Sequence, residues 1–168
     1  MGDVDLTTLT LRESDLLAHV ESLLGTIEDK NAALRADGTA AAYREVASGY
    51  LQFARSGSLE ALKRALFLCW DAQVEPPCFT GLGDIDGDQI PQAKELMIRR
   101  LESGDFDDEY VAMIGWYARI ADWWFSGIEA VPGLSDRIRG LTALARSSGR
   151  SGPDPVSRWP FRGSCLRG

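Results

Sequence analysis

SLEALKRALFLCWDAQVEPP, Ser58–Pro77, is the stretch on which the fold turns. Leu59, Leu62, Leu66, Cys69 and Trp70 recur at helical spacing along one side, and Phe67 and Leu68 widen the apolar surface beyond one stripe. Ser58 stands where an N-cap is needed, because its hydroxyl can accept one of the backbone N–H groups that the first turn leaves without a partner. Pro76-Pro77 ends the run, since proline has no N–H to donate and its ring clashes with the preceding turn. A helix this apolar needs neighbours on several sides, so the segment predicts a central helix of an all-α protein. Asp71 and Glu75 lie one turn apart at its C-terminal end, where the helix dipole disfavours negative charge.

The same periodicity extends in both directions. Thr10 and Glu13 have capping-box spacing, and Leu16, Leu17, Val20, Leu23, Leu24 and Ile27 follow on one face. Alanine-rich sequence carries this first helix towards Leu34, and Asp37-Gly38 ends it. Thr39 is placed to cap a second helix, with Tyr43, Val46, Ala47, Tyr50, Leu51 and Ala54 as its stripe. Beyond the central helix the chain reads as irregular until Asp88, which can cap a helix from Gln89 through Ile90, Ala93, Met97 and Leu101. Asp107, Asp108 and Glu109 mark a further N-terminus. The helix after them is apolar nearly all round, with Tyr110, Ile114, Tyr117, Ala121 and Trp124 in one row and Met113, Trp116, Ile120 and Trp123 in another. Ser135 can cap a shorter helix through Ile138, Leu141 and Ala145.

This pattern predicts one compact bundle of five to six mostly antiparallel helices over residues 6–147. The helices around Trp70 and Tyr117 are expected innermost. Residues 148–168, rich in Gly, Pro, Ser and Arg, are expected to form a disordered basic tail. No stretch alternates as a strand would.

Composition narrows the function classes. The chain has 168 residues and a net charge of −7; the final 21 contribute four arginines against one aspartate, +3, which leaves −10 on the rest. Such a body repels nucleic-acid phosphates and anionic membranes, leaving the basic tail as the one segment suited to an acidic or nucleic-acid partner. A basic protein partner fits the charge. The three cysteines are odd in number, widely spaced and without a Cys-x-x-Cys pair, which reads as a reducing, cytoplasmic setting rather than a disulfide framework or zinc site. Cys69 belongs to an apolar stripe, and Cys78, in the irregular segment, is the expected reactive thiol. The N-terminus has early acids and no signal-like apolar run, and no uninterrupted apolar stretch is long enough to span a bilayer.

Several features bear on chemistry. DIDGDQIPQAKE, Asp84–Glu95, resembles an EF-hand loop of the calmodulin type at its ligand positions: Asp84, Asp86, Asp88, the carbonyl of Ile90, Gln92 and Glu95. The scaffold departs from that pattern. Gln89 stands where glycine must turn, Pro91 stands where a paired loop needs an N–H, and PPCFTGLG replaces the incoming helix. An irregular calcium site is the most the loop supports, and the expectation is no cofactor. FTGLGDIDG lacks the Lys-Ser/Thr pair of a phosphate loop. His19, the sole histidine, has no nucleophile elbow to serve.

Aromatic and charged residues crowd two windows. Trp70, Tyr117, Trp123 and Trp124 could line a binding surface or pocket, and Asp71, Glu75, Asp122 and Arg119 could form a catalytic set in which aromatic walls raise carboxylate pKa values. The leading expectation is a non-catalytic interaction protein of the immunity, adaptor or inhibitor kind, without membrane association. The alternative is a metal-assisted hydrolase or small-ligand-binding protein that uses those carboxylates.

Overall fold

Capping side chains set most of the helix starts in the computed structural model, which describes residues 5–125 and the separate positions Gly133, Asp136, Arg139, Gly140 and Ala143. The elements are α1 (Leu6–Ser22), α2 (Ile27–Ala36), α3 (Thr39–Arg55), α4 (Leu59–Val74), α5 (Pro77–Thr80), α6 (Gln89–Ser103) and α7 (Asp108–Ile120), with a 3-10 turn at Asp122–Phe125. The protein is all-α, and the described residues include no strand. None of the described helices is long and apolar enough to cross a membrane. The helix expected around Ile138 and Leu141 and the tail from 148 lie outside the described residues. Where one domain is expected over residues 6–147, the chain divides into two compact units, Met1–Leu96 and Met97–Gly168, with the division inside α6.

In the first unit α3 is the hub, packing against α4 and α1 and touching α2. Its expected stripe, Tyr43, Val46, Ala47, Tyr50, Leu51 and Ala54, is entirely buried. So is most of α4, including Leu62, Leu66, Cys69 and Trp70. Gly49 lets α1 close on α3: a Cβ there would stand 2.8 Å from Cδ1 of Leu9. One polar cluster joins the same three helices. Tyr50 donates its hydroxyl hydrogen to Glu13 Oε2 at 2.6 Å, and Arg64 donates to the same oxygen at 3.0 Å and to Glu60 at 3.0 Å. The buried Gln89 amide donates to the Arg44 carbonyl at 2.8 Å and to Ser48 Oγ at 2.7 Å, fixing the start of α6 on α3.

The second unit is organised by one face of α7. Tyr110, Ile114, Tyr117, Ala121 and Trp124 are all buried, as their row in the sequence predicts. Phe106 stacks on Tyr110 with ring centroids 6.0 Å apart, and the Tyr110 hydroxyl donates to the Met97 carbonyl at 3.4 Å.

The helix boundaries differ from expectation at five places. Asp5 caps α1, accepting from the Thr8 N–H at 2.7 Å, so Thr10 lies inside the helix and donates back to the Leu6 carbonyl. The long first helix is two helices. Gly25, at φ +107°, breaks it, and Thr26 and Asp29 form the capping box of α2. Thr39 is the first helical residue of α3 rather than its cap, held by Asp37, which accepts from both its N–H and its hydroxyl. The irregular segment contains the short α5, and the apolar run from Tyr110 stops being α-helical after Ile120.

The cluster on Glu13 makes a direct prediction. Glu13 and Arg64 are only 12% and 21% exposed, so removing one partner strands the other in low dielectric. Arg64→Met is expected to cost about 2–3 kcal/mol in urea unfolding, and Glu13→Gln/Arg64→Met less than the two single changes together.

Candidate functional site

One cavity in the first unit combines volume with polar side chains. A cleft of about 420 Å³ opens in the first unit among α2, the start of α3, α5 and the loop after α5. Asn31 and Arg35, one turn apart on α2, form one wall with Leu34, and Ala40, Pro77 and Asp84 contribute from the other elements. That volume lies within the ~300–1,000 Å³ common for small-molecule sites.

Local structure explains the placement. The Thr26/Asp29 capping box starts α2, and Leu34 is the one buried residue that anchors it. Pro77 begins α5 at a position where a missing N–H costs nothing. Gly81 ends α5 at φ +76°, and a Cβ there would come within 2.9 Å of Val20 Cγ2 and 3.1 Å of Tyr43 Cε2. Only a bare backbone lets the chain pass this close to α1 and α3 before turning out to Asp84. Among the described residues, the side chains of Asn31, Arg35 and Asp84 form no hydrogen bond or ion pair with the protein.

The residues singled out in the sequence are divided between the two units. Asp71 is 3% exposed within α4, and Glu75 is the half-buried C-cap of that helix. In the second unit, Arg119 is exposed with its guanidinium 5.3 Å from the centroid of the Trp116 ring. Asp122 is exposed and accepts from the Trp123 N–H at 2.8 Å. Trp70, Tyr117 and Trp124 are buried core residues, whereas Trp123 is 52% exposed.

The carboxylates of the aspartate loop have different surroundings. No group of His, Cys, Asp or Glu among the described residues could hold a metal ion. Asp84 faces the cleft region, Asp86 lies 3.6 Å from Arg44, and Asp88 and Glu95 are exposed. The cause is Gln89. At the position where an EF-hand loop still wraps its ion, this chain has already entered α6.

His19 lies 2.7 Å, Nε2 to Oδ2, from Asp37 and so links the end of α1 to the end of α2. The hydrogen bond from the Thr39 hydroxyl, and then His19, hold the Asp37 carboxyl below its ordinary range. Cys78, expected as the reactive thiol, is buried like Cys69. Burial pushes the Cys69 thiol up to about 12, which leaves almost no thiolate at neutral pH.

No family model, curated protein or solved structure matches this chain.

Two predictions test this picture of the helix ends and thiols. Burial raises the Glu75 pKa above the glutamate range. The stability linked to its protonation is therefore complete below the unfolded-state pKa and is lost as pH rises through the folded-state pKa. Glu75→Gln is expected to melt higher than the wild type at pH about 7, with the difference closing as pH falls below about 4. In a Cys165→Ser background, a thiol reagent should find no fast-reacting group until denaturant exposes Cys69 and Cys78.

Proposed function

We propose that this chain is a non-catalytic protein-interaction module that docks a basic partner at the corner between α1 and α2. The observation that carries the reading is Leu24, 89% exposed in that connection. Ile27 is exposed beside it at the first position of α2. An apolar pair held in water at a tight corner is available for burial against another surface.

Charge supports the choice of partner. Glu21, Glu28 and Asp29 flank the pair and are all exposed. Among the described residues, neither Glu21 nor Glu28 meets a basic side chain. The whole first unit carries 16 acidic against 8 basic residues. A cationic rim around an apolar socket is the complementary surface, with the carboxylates speeding encounter and Leu24 and Ile27 contributing burial. Covering one leucine is worth about 1.5–3 kcal/mol.

The test is capture from the source cell with the full chain, followed by rebinding of the purified candidate. A basic protein is expected that binds wild type, weakens as salt is raised, and loses about tenfold or more in affinity to Leu24→Ser. Capture that is indifferent both to Leu24→Ser and to Glu21→Gln/Glu28→Gln would overturn the reading.

A further inference from the structure

The cleft beside α2 is bipolar. Arg35 contributes a guanidinium and Asp84 a carboxylate to the same cavity, yet the two form no ion pair with each other or with any described residue. The same cavity is also lined by Leu34, Ala40 and Pro77, which are apolar, and by Asn31, Gly81 and Gly83. Opposite charges in one small cavity normally approach each other unless the backbone holds them apart, and here they come from elements with independent anchors. Arg35 rides on α2, which is fixed by its capping box and Leu34. Asp84 follows the turn at Gly81, where the chain is wedged against Val20 and Tyr43.

We infer that this cleft binds a small zwitterion, an α-amino acid or dipeptide with an apolar side chain. Arg35 is the partner for the carboxylate, because its planar fork matches two carboxylate oxygens. Asn31, one turn earlier on the same helix, supplies an amide to the same end of the ligand. Asp84 receives the ammonium group, and Leu34, Ala40 and Pro77 receive the side chain. A simple anion would use Arg35 and leave Asp84 as a repelling charge. A simple cation would meet the reverse problem. Only a ligand carrying both charges uses both walls. The site shares no residue with the proposed docking corner, so either can fail without the other.

Calorimetry and ligand-observed NMR on the full chain, with L-leucine and the dipeptide Leu-Leu as probes, test the inference. At least one is expected to bind saturably at millimolar concentration, and the tighter of the two identifies the source. Leucinamide, which lacks the carboxylate, and N-acetyl-leucine, which lacks the ammonium, should each bind about tenfold more weakly. Arg35→Ala should remove the preference for leucine over leucinamide. Asp84→Asn should remove its preference over N-acetyl-leucine. Both side chains are exposed, and unchanged helical circular dichroism checks that the variants fold. Three results would each overturn the proposal: no saturable binding of either zwitterion, capped ligands binding as tightly as leucine, or inorganic phosphate binding while the zwitterions do not.

Discussion

Glu13 is the point at which three helices of the first unit are tied together. It stands on α1, accepts the Tyr50 hydroxyl hydrogen from α3, and pairs with Arg64 of α4. A carboxylate this enclosed is tolerated only because both partners reach the same oxygen. The competition shows in the groups around it. Burial, the largest single influence, lowers the Arg64 pKa, but Glu13, Tyr50 and Glu60 together outweigh it and hold the guanidinium above its ordinary value. Burial, then the Glu13 charge, push the Tyr50 hydroxyl up well beyond the tyrosine range. Both groups are therefore locked in the state that suits the cluster across the physiological range. The apolar packing of α3 on α4 could be satisfied at more than one rotation of α1. The cluster at Glu13 and the close contact of Leu9 on Gly49 select one.

That cluster also marks where sequence reasoning reached its limit. Thr10 and Glu13 have capping-box spacing, but Glu13 finds Arg64, which lies 51 residues away. A local pattern cannot anticipate a competitor that only the fold supplies. A true capping box, Thr26 with Asp29, was overridden by the alanine-rich run around it, although Gly25 immediately before it signals a break. Where a helix buries one continuous stripe, period alone sufficed. Every residue of the α3 stripe is buried, and so is the Tyr110–Trp124 row. The second row on α7 shows the opposite case. Met113 is buried, but Ile120 and Trp123 are exposed, because apolar character states what a residue tolerates rather than what covers it.

The same distinction applies to function. Trp70, Tyr117 and Trp124 drew attention as aromatic anchors and are packed inside. Asn31, Arg35 and Asp84 carry no local signature and become a site only when α2 and the loop after α5 meet. Their one visible trace was the spacing of Asn31 and Arg35 on a helix face. Asp84 has the spacing of a calcium ligand, and in the fold it lines one cavity with Arg35.

Both proposed surfaces draw on α2, and the energetics of that helix explain why it can host them. It has ten residues and buries only Leu34. A helix of this length is marginal in isolation, so its persistence depends on the capping box, on Leu34 and on contacts with α5 and α3. Its remaining side chains are not needed for the core. They can be selected for a partner or a ligand without the stability cost that a change in α3 or α4 would carry. The weak anchoring also gives α2 a lower local opening free energy than the helices joined at Glu13. A ligand that bridges Arg35 to Asp84 would connect α2 to the loop after Gly81, adding to the restraints that Leu34 and the His19–Asp37 contact place at that end of the helix, and would hold the Leu24 corner on a more rigid element.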